Sequence, residues 1–324
     1  MTITGEIWLC LSGGNALGAF HGGAYEALSE AGLEPTAVSG ASIGALVGAI
    51  IAGNPPELRR ERLRRFWKDA EQWPLLPGTK PAKITRGLNT LLTGRAGLFH
   101  PQFWNGWFGH SQGPGLHDQT PTRRKLESLV DFDLLNAGSI RFVVTAVDVE
   151  TGKIEVFDNR RGRIEIDHVM ASMAAPVLFP PVTVAERTFV DPGIVCNLPL
   201  EPLFEPLPDR PVTCIALDAA RPDGPVPDGL DAAFSRAQDI LFSGQSRRAL
   251  AAVHGALAAR RSAGGSDAEI RILHIPYRDE AGSEASLKAL DFRQDSIEKR
   301  WAEGRQAIGA VLAGAALADP SQAA

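Results

Sequence analysis

Two apolar runs near the start of the chain each end in a glycine-bearing turn and pass straight into a helical pattern. Ile7-Trp8-Leu9-Cys10-Leu11 is almost wholly apolar and leads into Ser12-Gly13-Gly14-Asn15-Ala16-Leu17-Gly18; a helical pattern over 19–31 follows, stopped by Gly32. The second run, Thr36-Ala37-Val38-Ser39, enters Gly40-Ala41-Ser42-Ile43-Gly44 and then a helix-like stretch over 45–52. An apolar run without alternation suits a strand buried on both faces, as in a parallel sheet covered by helices. Strands that alternate with helices in this way predict an α/β fold.

The second turn reads G-x-S-x-G. A sharp strand-to-helix turn would expose Ser42, with unpaired amides and the positive end of a helix dipole behind it. Gly40 and Gly44 remove the Cβ atoms that would collide there. The first turn is rich in backbone donors. It can be read as an oxyanion hole formed by Gly13, Gly14 and Asn15, as a plain turn, or as a dinucleotide fingerprint. The fingerprint is poorly matched, because Asn15 replaces the middle glycine of G-x-G-x-x-G. Two adjacent turns, one with donors and one with a serine, favour the oxyanion reading.

Residues 55–73 form a charged helical stretch whose arginines are expected to pair with Glu57 and Glu61 on a solvated face, the other reading being contact with phosphate headgroups. Residues 74–120 are loop-rich and aromatic. Phe99, Phe103, Trp104, Trp107 and Phe108 could form an acyl-binding wall or lid, or a satellite core under a long loop. A helix over 122–135 and a hairpin of 141–147 with 154–157 come next. Asp167 is expected to cap a helix over 168–174. A hairpin around Ala185-Glu186 delivers Asp191-Pro192-Gly193, a turn that holds an acid at a strand end. A strand over 212–218 precedes a Pro/Gly linker at 221–229. Beyond it lie a helix over 231–261, broken near Gly244, a strand over 269–275 and a final helix over 294–317.

Serine needs a base to take its proton. The residues allow a triad of Ser42 with Asp191 or Asp218 and His254 or His274, or a direct Ser42–Asp191 pair. Only one strand and helix precede the serine, which argues against the α/β-hydrolase triad order.

Taken together, these motifs resemble the bacterial patatin-like phospholipases over about residues 6–220. Ser12 to Gly18 resembles the family's glycine-rich loop, Gly40 to Gly44 its nucleophile elbow, and Asp191-Pro192-Gly193 its aspartate turn. Ala171-Ser172-x-Ala174-x-Pro176 and Phe179-Pro180-Pro181-Val182 match the segment ahead of that aspartate. The tail, from about 225, is similar to a domain of unknown function carried by some bacterial members. The resemblance implies a three-layer α/β/α fold with a mostly parallel sheet. It divides the chain into a catalytic domain, 1–220, and a mainly helical extension, 221–324. It implies a Ser42–Asp191 dyad acting through an acyl-enzyme on lipid or acyl-ester substrates, with no metal and no cofactor. A thioesterase, an acyltransferase, a polyester hydrolase and a non-catalytic membrane-surface protein remain as alternatives. Pro192 lacks the amide that a glycine would supply, and Leu17 stands where many members have a basic residue.

The wider composition sets the remaining expectations. A net charge of −5 gives no electrostatic case for nucleic acid. Cys10, Cys196 and Cys214 are odd in number and sit among apolar neighbours, as buried reduced thiols do. Residues 1–6 show no signal-peptide pattern, and the uncharged run 36–54 is broken by its own turn. The expected place is the cytoplasm, with peripheral membrane contact; the oligomeric state is not legible.

Overall fold

The computed structural model describes residues 5–70, 89–95, 97–102, 113–279, 284 and 287–314. Of the expected aromatic wall, Phe103, Trp104, Trp107 and Phe108 lie outside the described residues, as does the tail from 315.

An eight-stranded, mostly parallel sheet with helices around it forms an α/β fold. Its strands are β1 (Glu6–Leu11), β2 (Ala37–Gly40), β5 (Arg141–Asp148), β6 (Ile154–Asp158), β7 (Val182–Val184), β8 (Arg187–Val190), β9 (Val212–Asp218) and β10 (Ile270–Pro276). They are ordered β10-β9-β1-β2-β5-β8-β7, with β6 paired to β5. Strands β10, β9, β1, β2 and β5 run parallel, β6 and β8 run antiparallel to β5, and β7 is antiparallel to β8. A separate two-stranded ribbon joins β3 (His100–Pro101) to β4 (His117–Asp118).

Three registers position the site. Leu11 of β1 lies beside Gly40 of β2, so the glycine loop and the G-x-S-x-G turn leave the sheet side by side. Strand β5 runs past the end of β2: β2 pairs with 141–144, whereas β8 pairs with Val147 and Asp148. The other edge of β5 is taken by β6 over 143–147. Strand β8 therefore shares an edge with β2 and runs back toward its end, carrying Asp191 to the place where β2 stops.

The helices that follow the two turns are α1 (Ala19–Glu30) and α2 (Ile43–Ala52), and α2 is buried along its whole length. With β2, it accounts for the uncharged run expected to break at its own turn. No helix among the described residues is long and apolar enough to cross a membrane. The helix Gln294–Leu312 packs on α1 so closely that a Cβ on Gly23 would lie 1.9 Å from the Trp301 carbonyl oxygen, and one on Gly304 2.1 Å from that of Phe20. Trp301 fixes the contact by donating its indole N–H to Glu26 at 2.8 Å.

Several local expectations are corrected. The charged helix α3 (Pro56–Ala70) sends its arginines across to other elements: Arg59 to Glu34 at 2.6 Å, Arg60 to Glu30 at 3.6 Å and Arg64 to Glu26 at 2.9 Å. The helix expected over 122–135 is two, Thr120–Leu129 and Phe132–Ala137. Asp131 starts the second by accepting from the amides of Asp133 and Leu134. Asp167 pairs with Arg123 and does not cap; Glu165 and His168 form the capping box of Ile166–Ser172. The helix Leu230–Ser262 runs unbroken through Gly244. The strand expected over 269–275 forms as β10 and joins the central sheet. Cys10, Cys196 and Cys214 are free thiols, the first and last fully buried.

Candidate active site

Ser42 caps α2 with φ 54° and ψ −125°, a backbone conformation that non-glycine residues rarely take. Such strain persists where the surroundings over-determine it. The glycines of the turn show how: a Cβ on Gly44 would lie 2.2 Å from the Leu11 carbonyl oxygen, and one on Gly40 2.4 Å from the Gly44 carbonyl carbon. The Ser42 amide is held in turn, donating to Ser172 Oγ at 2.9 Å.

Asp191 directly follows β8 and is only 7% exposed. Its amide donates to the Ala174 carbonyl at 3.0 Å, and its Oδ1 accepts from the Gly193 amide at 2.8 Å. Burial pushes the carboxyl up to about 6, against the opposing pull of hydrogen bonds from the Ser42 side chain and the Gly193 amide. The hydroxyl therefore stands close enough to the carboxyl to favour its ionised form, and both line one cavity. Pro192 opens a short 3-10 turn, Pro192–Ile194, where a missing N–H is tolerated. The aspartate takes its amide contact from residue 193, so Pro192 sacrifices nothing that this turn uses.

The glycine loop splits its donors. The Gly13 amide is turned away and donates to the Asn197 carbonyl at 3.0 Å. That corrects the expected set of three: Gly14 and Asn15 line the cavity, and Gly13 does not. Asn15 has φ 52°, a conformation that asparagine enters more readily than most residues, which fits its place in a glycine loop. The loop is pinned from below. Ser12 Oγ accepts from the Ala219 amide at 2.7 Å, and the buried His21 ring bonds to the Ser12 carbonyl at 2.9 Å. Burial pushes His21 down to about 4, so it is neutral and donates.

The cavity holding Ser42 and Asp191 is about 350 Å³ and lined mainly by apolar side chains. Phe99 is on its wall, in edge contact with His117 and Phe179 at ring-centroid distances of 5.0 and 5.3 Å. Residues from beyond 220 close it: Gln238 and Phe242 of the helix Leu230–Ser262, with Leu287, Ala289 and Leu290. Asp191 is the single charged residue on the lining among the described residues.

The histidine alternatives do not join this cavity. His274 Nε2 bonds to the fully buried Asp218 at 3.0 Å, and neither lines the cavity. His254 is exposed on the long helix. Ser172, Asn197 and Gln245 support the site although the chain gives little notice of them. Only the spacing of the Ala171-Ser172 segment before Asp191 points to Ser172.

A family model described as patatin-like phospholipase matches residues 9–204, and a second, described as patatin phospholipase, matches residues 254–323. No curated protein matches the chain. Among solved structures, VipD from Legionella pneumophila is similar at 14% identity and TM-score 0.41, over 92% of this chain and 67% of that one. The type III effector protein ExoU is similar at 15% identity and TM-score 0.36, over 96% of this chain and 53% of that one. Since the first family match runs over more than half of the sequence and holds both turns and the Asp191 loop, the chain belongs to the patatin-like phospholipase family.

Proposed function

We propose that the protein hydrolyses acyl esters of lipids with a Ser42–Asp191 dyad. Ser42 Oγ attacks the acyl carbonyl carbon while its proton passes to the Asp191 carboxylate. The developing oxyanion is held by the amides of Gly14 and Asn15, with the N-terminal end of α2 adding its dipole. Collapse of the tetrahedral intermediate expels the alcohol, which takes the proton back from Asp191. Water, deprotonated by the same carboxylate, then releases the acid and restores Ser42. The apolar cavity walls suit an acyl chain, and peripheral contact with a lipid surface would bring the substrate to them. The catalytic apparatus is placed in 1–220, and the segment beyond closes the cavity.

The observation that carries the reading is the buried carboxyl of Asp191, on one cavity wall with the strained serine and raised toward neutrality by desolvation. A carboxylate so placed is a stronger base than one in water, yet is still ionised at neutral pH. A fluorophosphonate probe should label the wild type and leave Ser42→Ala unlabelled. Incubation with a mixed lipid extract should release fatty acids in the same pattern. His274→Ala should stay active; loss of turnover in that variant, with Asp191→Asn unimpaired, would overturn the dyad.

A further inference from the structure

Gln245 lies between the two stretches that the family models match, yet its side chain bonds to the backbone of two residues that line the cavity. It is 6% exposed. Its Oε1 accepts from the Asn197 amide at 2.8 Å, and its Nε2 donates to the Gly193 carbonyl at 3.1 Å. A carboxamide is the side-chain group that offers an acceptor and a donor side by side. Here it meets a backbone N–H and a backbone C=O four residues apart.

Each partner leads to one half of the site. Gly193 gives its own amide to Asp191 Oδ1 at 2.8 Å. Asn197 accepts the Gly13 amide at 3.0 Å and returns its side-chain amide to the Gly13 carbonyl at 3.4 Å. Gly13 is followed directly by Gly14 and Asn15, which line the cavity. One side chain therefore holds the aspartate turn and the donor loop in a fixed relation.

We infer that Gln245 is a positioning residue for the reaction, setting Asp191 against Ser42 and the Gly14–Asn15 amides against the oxyanion. The inference rests on the hydrolase reading above. It also gives the segment beyond 220 a part in turnover that reaches past closing the cavity.

A Gln245 that merely satisfied two buried backbone groups would influence stability alone. A positioning role also influences the chemistry. With Gly193 released, its amide no longer favours the ionised Asp191, and the acid limb of the rate profile moves upward. No other charged side chain lines the cavity among the described residues, so that limb reports Asp191.

The test is hydrolysis of p-nitrophenyl butyrate by the full-length wild type and by Gln245→Met, from about pH 5 to about pH 9, with a thermal melt of each. Gln245→Met should lower kcat about tenfold or more, keep KM within about twofold, and raise the acid limb by about half a pH unit. If Gln245→Met does not accumulate as folded protein, Gln245→Glu takes its place. Once ionised, the carboxylate still accepts from Asn197 but cannot donate to Gly193, and kcat should fall likewise at about pH 9, the alkaline end of the profile. A folded variant with a lowered melting temperature, wild-type kcat and an unmoved limb would overturn the inference alone. A wild type that neither hydrolyses esters nor labels at Ser42 would overturn the hydrolase reading with it.

Discussion

Asp191 should weaken the fold it belongs to at neutral pH, and Asp191→Asn should relieve that. Burial raises its carboxyl from an ordinary 3.8 to about 6. The gap of roughly two pH units corresponds to ~3 kcal/mol of tighter proton binding by the folded chain. The sign follows from the order of titration. Below about pH 4 folded and unfolded chains both hold the proton, and burial of the neutral acid carries no ionisation penalty. Between about pH 4 and pH 6 the unfolded chain releases the proton while the folded one keeps it, so stability falls. Above about pH 6 the penalty is complete. Asparagine has the same shape and no proton to lose, and its oxygen can still accept from the Gly193 amide. Relative to wild type, Asp191→Asn should gain up to ~3 kcal/mol at pH 8 and about 1 kcal/mol at pH 4.5, while losing turnover. In a chain of this size that difference is several degrees in melting temperature. Urea and thermal unfolding of both proteins at the two pH values, taken as variant minus wild type, isolate this group from the general acid response. An equal difference at both pH values, or a variant less stable than wild type at pH 8, would refute the reasoning. Either result would mean that burial does not disfavour the carboxylate, and the argument for Asp191 as a strengthened base would lose its physical basis.

Two further predictions concern the frame of the site. Lys288 Nζ meets both carboxylate oxygens of Asp239, at 2.6 and 2.8 Å, in a buried pair flanked by the cavity residues Gln238, Leu287 and Ala289. Lys288→Met should cost about 3–5 kcal/mol in urea unfolding and raise KM for long-chain more than short-chain esters, whereas Lys288→Met with Asp239→Leu should recover most of the stability. Gly44→Ala would press a Cβ to 2.2 Å from the Leu11 carbonyl oxygen, backbone that cannot swing aside. It should destabilise the protein by about 3 kcal/mol or more in calorimetry and abolish fluorophosphonate labelling even where fold is retained.

What the sequence makes legible is governed by the range of the forces involved. The elbow at Ser42 and the donor loop at 13–15 are local steric problems, solved within a few residues of chain, so glycine spacing reveals them. The direction of each amide is not local. Gly13 turns to Asn197 because a segment about 180 residues further along the chain offers it a carbonyl, and no pattern around residue 13 could announce that. The arginines of α3 follow the same rule. In an isolated helix they would choose Glu57 and Glu61, but the packed α1 presents Glu26 and Glu30 at close range. The unbroken helix at Gly244 is also a tertiary effect, because one interior glycine costs only about 1 kcal/mol and helix packing exceeds it. Gln245 carries no local signal at all: on an amphipathic helix a glutamine is an ordinary polar residue until the chain folds against it.

The arrival of the aspartate shows how a distant residue can still be partly legible. Strand β2 has four residues and β5 has eight, so β5 must overhang its neighbour. An overhang leaves unpaired backbone groups on the edge that β2 vacates, and buried backbone must find partners. The antiparallel β8 fills that vacancy and, running back, carries the residue that follows it toward the end of β2. The turn after β2 is where a strand-to-helix elbow must expose its side chain. A hydroxyl at position 42 and an acid at position 191 thus meet because of strand lengths and pairing sense, before any side-chain preference enters. In the proposed dyad no histidine has to intervene, because the sheet already brings the carboxyl and the hydroxyl to one cavity. The sheet order also explains why His274, one strand beyond β9 at the far edge of the same sheet, is bonded to Asp218 and stands apart from the cavity.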